Sequence, residues 1–371
     1  MEKNAEYTSI TQKELDSITV LTMSPADVTH YFYNGINVRS FADVLERFAE
    51  GRDLKTLLVD RLCEYDSSAI RDNVRKKVSN WLAGRNRPND RDELIRLCFA
   101  LGLDEENAQR FMTFCIDGDF HLRNPKEVAF LYCLRSGKSY PDAVEFISGL
   151  PPINDISATT ADTNEIYTEI VDKAFSKVHT DNEFLRFYEE NLENFGRLHN
   201  TAYEKFMEMF DVLIAPDAAL YTEDDKEYPV ETAVELYLRM NLPLDKKKSK
   251  YTAIQKTIRN FWPNSTVITN MRNRKEDVSR KVLLLLYVVT EGLTGAASDD
   301  EYWLEDLTPV EVLEEHSWKI DLMLEACGVS RLDPRNPFDW LILYSLKVSD
   351  DDDAGMSERL SGVLSELFPQ E

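Results

Sequence analysis

VSNWLAGRNRPNDRDELIRLCFALGL, Val78 to Leu103, is the stretch on which the reading of the chain turns. Just upstream and into it, Ile70, Val74, Val78 and Leu82, with Trp81 beside them, recur at helical spacing, so one face is apolar and the other carries Arg71, Arg75 and Lys76. Gly84 ends that helix, because glycine enters the left-handed cap conformation at little cost. Arg85 and Arg87 flank the exit, Pro88 discourages continuation, and Asn89 or Asp90 caps a second helix. The second helix has its own apolar stripe in Leu94, Ile95, Cys98 and Leu101.

The stretch recurs. At a constant offset of 190, Ile268 to Leu293 (ITNMRNRKEDVSRKVLLLLYVVTEGL) pairs Asn80 with Asn270, Trp81 with Met271, Leu94 with Leu284 and Gly102 with Gly292. A second match lies downstream at an offset of 212, where CIDGDFHLRNPKEVAFLYCL (Cys115 to Leu134) fits CGVSRLDPRNPFDWLILYSL (Cys327 to Leu346) and aligns Arg123-Asn124-Pro125 with Arg335-Asn336-Pro337. The offsets differ by 22, which places about one extra helix near Asp299 to Ser317 in the second copy. The chain thus reads as a diverged tandem duplication, each half ending in a helical extension that opens at Arg-Asn-Pro.

The quoted stretch resembles the helix-turn-helix of the lambda-repressor-like (XRE) family. There, a recognition helix ending in S-x-W-x-x-G is followed by a K/R-x-x-P loop and an L-x-x-L-A-x-A-L-G-L helix. Ser79, Trp81, Gly84, Arg85 and Pro88 stand at those positions here, and the resemblance covers about a fifth of the chain. Extensions of this kind are similar to those of repressor-like proteins from clostridial bacteria. The resemblance implies a DNA-binding transcriptional regulator whose recognition helix enters the major groove while loop residues and helix N-termini hold phosphates. Carried over residue by residue, Arg71, Asn73, Arg75 and Lys76 face the groove, and Asn80, Arg85 and Arg87 reach the backbone. In the second unit Arg272, Arg274 and Lys275 are the phosphate contacts, but Arg274 stands where the first has Gly84 and Val278 where it has Pro88. Two units in one chain would read half-sites roughly 34 Å apart. The family's second helix usually holds Gln-x-x-x-Leu-Ala; this chain has LKTLLVDRL (Leu54 to Leu62) instead, and a longer segment from Asp66 to Gly84.

Charge bears directly on that expectation. The formal net charge is −24, and an acidic surface repels phosphate. The basic residues are concentrated, however: Arg71 to Arg91 is +5 and Lys246 to Lys281 is +9, so the rest of the chain is −38. The basic runs lie beside the two repressor-like units. Such runs are also the ordinary dress of solvated helix faces. A second function class therefore stands beside the first: a non-catalytic protein-interaction or scaffold module that keeps the fold without reading DNA, holding a protein partner or self-associating.

In chain order, residues 1–39 are polar, with Ser24 capping a short helix at Pro25, and read as an N-terminal arm. Residues 40–150 form the first unit with its extension, opened by Ser40 and followed by the helix of Asp53 to Tyr65. Residues 151–164, with their prolines and small polar residues, read as a linker with the domain boundary near Pro152. Residues 165–371 form the second helical domain, with its repressor-like unit at about 246–293. The aromatic stripes here, and Trp303, Trp318 and Trp340, read as core. Thr222 to Pro229 is a loop and Asp350 to Asp353 an acidic turn.

Scarce Gly and abundant helix formers make an all-α protein the expectation. No run of about 18 apolar residues marks a membrane span. MEKNAEYTSITQKELDS lacks the basic start and apolar stretch of a signal peptide, and five Cys without a C-x-x-C pair fit a reducing compartment, so the expectation is cytoplasmic. His30, His121, His179, His199 and His316 show no metal spacing, and no phosphate cradle or nucleophile elbow is present. An enzyme, a cofactor and a metal are not expected.

Overall fold

Ser40, Asp53, Asp90, Asn124 and Ser139 each turn a side-chain oxygen onto the free amide hydrogens of the turn that follows, and each opens a helix. The computed structural model describes residues 9–20, 23–36, 38–49, 51–88, 90–115, 120–152, 167–196, 198–215, 227–243, 251–294, 307–347 and 354–369. Among these all regular structure is helical. The readings that fell on Asn89, 153–164, 222–226, 246–250, 299–306 and 350–353 lie outside the described residues.

The chain forms two compact units, Arg39–His199, and Met1–Val38 together with Asn200–Glu371. In chain order the second of these begins with α1 (Ser9–Val20) and α2 (Pro25–Asn34). The Arg39–His199 unit contains α3 (Phe41–Arg47), α4 (Leu54–Tyr65), α5 (Arg71–Leu82), α6 (Arg91–Leu101), α7 (Glu105–Cys115), α8 (Pro125–Arg135), α9 (Tyr140–Ser148), α10 (Tyr167–Phe175) and α11 (Asp181–Glu190). The remainder of the other unit is α12 (Asn200–Ile214), α13 (Val230–Ala233, passing into a π-helical turn at Val234–Leu238), α14 (Ala253–Phe261), α15 (Ser265–Arg272), α16 (Arg280–Thr294), α17 (Pro309–Ala326), α18 (Pro337–Leu346) and α19 (Met356–Leu367).

Each unit is built around two helices that are apolar nearly all round. In Arg39–His199 they are α6, buried from Leu97 through Leu101 as well as at Leu94 and Ile95, and α8, buried from Glu127 through Leu134. In the other unit they are α16, buried from Val282 through Thr290, and α18, buried along its whole length. A helix without a polar face is stable only when other helices surround it. Here α4, α7 and α9 pack on α6, and α17, α19 and α12 on α16.

Four sequence expectations are corrected. The described part of residues 1–39 is not an arm: α1 and α2 bury Ile18, Val28 and Phe32. Phe32 meets Trp340 edge-on at 5.0 Å, and Tyr344 Oη donates to the Met23 carbonyl at 2.9 Å. Among the described residues each of these short helices buries two side chains, Glu14 and Ile18 on α1 and Val28 and Phe32 on α2, which leaves no long apolar run to read. The compact unit also does not end near Pro152. It continues to His199, because Phe184 stacks on Tyr132 at 4.4 Å and the Arg135 guanidinium donates to the carbonyls of Phe175 and Val178. Finally, Trp340 is core but Trp318 is 58% exposed, and Ile70, read as the start of an apolar stripe, is 66% exposed.

Candidate nucleic-acid interface

α5 is anchored on one side only. Val78 and Trp81 are buried, with Trp81 edge-on to Phe41 at 6.0 Å, while Asn73, Arg75 and Lys76 lie exposed, and the exposed Lys77 carries its ammonium 5.2 Å from the centre of the Trp81 ring. Arg71 pairs with Asp60, Arg75 Nη1 lies 3.1 Å from Asp72, and Lys77 pairs with Glu93. Lys76 has no ion pair among the described residues. Ion pairs this exposed contribute about 0–1 kcal/mol, so an incoming phosphate can replace their carboxylates at small loss.

The loop after α5 has the geometry its sequence called for. Gly84 sits at φ +63°, its amide donates to the Trp81 carbonyl and the Arg85 amide to that of Asn80, both at 3.0 Å. These bonds satisfy carbonyls that the helix end would otherwise leave free. Arg85 is exposed, with Nη1 3.5 Å from Asn80 Oδ1. Arg87 Nη1 donates to the Cys115 carbonyl at 3.2 Å, and this draws the loop onto the end of α7. Pro88 is buried beneath the loop, and Asp90 caps α6.

Arg39 and Arg47 belong to the same surface, although sequence reasoning did not single them out. Their guanidinium carbons lie 4.5 and 4.8 Å from the ring centre of Phe114, the residue before Cys115. A side chain on Gly84 would meet Ser40, the neighbour of Arg39, at 3.8 Å. Arg39, Arg47 and Arg87 are therefore gathered at one helix end, and like charges held together favour an anion. Only tertiary packing joins residues so far apart in sequence, and no periodic signal announces them.

The other unit presents less. α15 is eight residues long, and the positions matching Arg71, Arg75 and Lys76 are Phe261, Ser265 and Thr266. Arg272 closes the helix, its carbonyl accepting from Tyr203 Oη at 3.0 Å. Arg274 is not turned outward as the sequence reading expected: its guanidinium stacks 4.3 Å over Tyr203 and donates to Asn200 Oδ1 at 2.6 Å, with Nε buried. Lys275 is exposed.

Several details recur at the sequence offsets. At 190, Arg274 repeats the left-handed backbone of Gly84 at φ +52°, and the amides of Arg274 and Lys275 donate to Met271 and Asn270 as those of Gly84 and Arg85 do to Trp81 and Asn80. At 212, Asn336 caps α18 as Asn124 caps α8. Glu127 and Asp339 are both buried carboxylates, accepting the backbone amides of His121 and Asp333, each at the same offset, at 2.9 and 2.8 Å. Each is gripped by two guanidinium nitrogens, from Arg91 at 2.8 and 2.7 Å and from Arg280 at 2.8 and 2.7 Å.

Elsewhere, burial pushes the thiols of Cys98, Cys115, Cys133 and Cys327 up, to about 12 for Cys133 and about 11 for Cys327, so they stay protonated. Among the described residues no group of three or more His, Cys, Asp or Glu is placed to hold a metal, and no helix is long and apolar enough to cross a membrane. Comparisons with protein-family models, curated proteins and solved structures found no match.

Proposed function

We propose that the chain is a DNA-binding transcriptional regulator of the repressor-like helix-turn-helix class, with α4 and α5 of the Arg39–His199 unit as its reading element. The observation that carries this is the outward face of α5, where Asn73, Arg75 and Lys76 stand exposed above a buried Val78–Trp81 seam. The seam fixes the helix, and short polar and cationic side chains of this kind read base edges in a major groove. Arg85, Arg87, Arg39 and Arg47 supply phosphate contacts beside it. In a chain of net charge −24, basic residues collected on one surface are the feature that asks for an anionic partner.

The tandem reading is supported by the two repeated helix-end turns and the two repeated Arg–carboxylate grips. For the second repressor-like unit we propose a protein-interaction role instead. Arg274 is locked onto Tyr203 and Asn200, and α15 lacks the basic residues of α5, so the frame persists without the groove-reading side chains.

The test is binding of the purified chain to a pool of genomic fragments at two salt concentrations, with sequencing of what is retained. Enrichment of one site, with affinity falling steeply as salt rises, is the expected result. Weak, salt-sensitive binding without sequence preference would move the proposal to the interaction module.

A further inference from the structure

α17 has two apolar sides. Its inner side buries Val312, Leu313, His316, Ile320 and Leu324. On its outer side Val310, Glu314, Trp318 and Leu322 follow one another at four-residue spacing, which lines them up along one face. Val310, Trp318 and Leu322 are 40, 58 and 45% exposed. A tryptophan with most of its ring in water, backed by a leucine one turn on, is the kind of anchor that carries most of the energy of a helix-in-groove or helix-on-helix contact.

The flanks say what kind of partner fits. Glu311, Glu315 and Glu325 border the stripe, with Lys319 and Arg331 pairing to Glu315 and Glu325, while the partly buried Asp321 accepts the Leu332 amide at 2.9 Å. From Leu307 to Glu325 the sequence holds five acidic residues and one lysine. We infer that this face docks a basic amphipathic helix of a partner protein, its apolar stripe on Trp318 and Leu322 and its Lys or Arg residues against Glu311 and Glu314. A second copy of the same face is disfavoured: a two-fold contact sets identical acidic flanks against each other, and like charges across an interface repel.

The test uses the full chain and a labelled peptide of about 18 residues made only of leucine and lysine, patterned as an amphipathic helix. An isomer with the leucines dispersed controls for attraction by charge alone. Saturable one-to-one binding, about tenfold tighter than the dispersed isomer and about tenfold weaker in Trp318→Ala with Leu322→Ala, is expected. Both side chains are exposed, so the variant should keep its unfolding midpoint, and its DNA affinity should be unchanged. Equal affinity for the two peptides, or unaltered binding by the variant, would overturn the inference. So would a concentration-dependent dimer in sedimentation that the variant abolishes, which would give the face to a second copy.

Discussion

Asp339 and Arg280 are 1% and 3% exposed at the side chain, and each would be an uncompensated charge without the other. Removing one partner of such a pair typically destabilises by about 3–5 kcal/mol, far more than any exposed pair on α5. Asp339→Ala should therefore lower stability by about 3 kcal/mol or more in urea unfolding. Glu127→Ala should lower it by less, since Arg91 keeps 27% of its side chain in contact with water. His316 gives a second handle. It is buried with Nδ1 2.8 Å from Tyr287 Oη, Glu291 lies 3.9 Å away, and burial with the nearby Lys319 pushes the imidazole down to about 4. The unfolded chain takes up this proton near pH 6.5, whereas the folded chain resists it until about 4. Stability from this site is full above 6.5 and declines as pH falls through that window, by on the order of 3 kcal/mol. In His316→Gln the fall in stability between pH 6.5 and 4 should be shallower than in wild type; an identical profile would show that His316 does not titrate as described.

Among the helices, what was legible was local chemistry. Ser24 and Ser40 could be named as caps, and Asp90 as one of two candidates with Asn89, because a cap needs only its own side chain and the next turn. Asn124→Ala and Asn336→Ala should each cost about 1 kcal/mol by thermal unfolding. Gly84 was legible for the same reason. What stayed hidden depends on packing. Glu127 and Asp339 look like the acidic first-turn residues of exposed helices, yet both point inward, since only the folded chain brings Arg91 and Arg280 to them. Arg274 looked like a phosphate contact because nothing in its own segment reveals Tyr203, about seventy residues earlier. Trp318 looked like core because composition favours burial of tryptophan, while the apolar inner side of α17 was already complete without it.

At the scale of the whole molecule the question is where an acidic chain keeps its cations. Many of those near α15 and α16 are taken up internally: Arg280 by Asp339 and Arg274 by Tyr203 and Asn200. On α5 itself Lys76 is exposed, and Arg71 and Arg75 are held only in exposed pairs with Asp60 and Asp72. DNA binding should accordingly depend on one unit much more than on the other. Lys275→Ala should leave affinity within about twofold, whereas Arg39→Ala with Arg47→Ala should weaken binding to all duplexes alike and lower the salt slope by about 2. The all-α class was readable from composition, and the two constant offsets are what raise the proposal of a duplication. The grouping of residues 1–38 with 200–371 was not readable, because it rests on contacts such as Tyr31 stacked on Trp340 at 5.4 Å between residues at opposite ends of the sequence.

The measurement closest to the central claim is the affinity of the full chain for the fragment most enriched from the genomic pool, compared between wild type and Arg75→Ala with Arg85→Ala at two salt concentrations. A loss of about tenfold or more in the variant, with a shallower dependence on salt, is what α5 as the reading helix requires. Unchanged affinity for that fragment would contradict it.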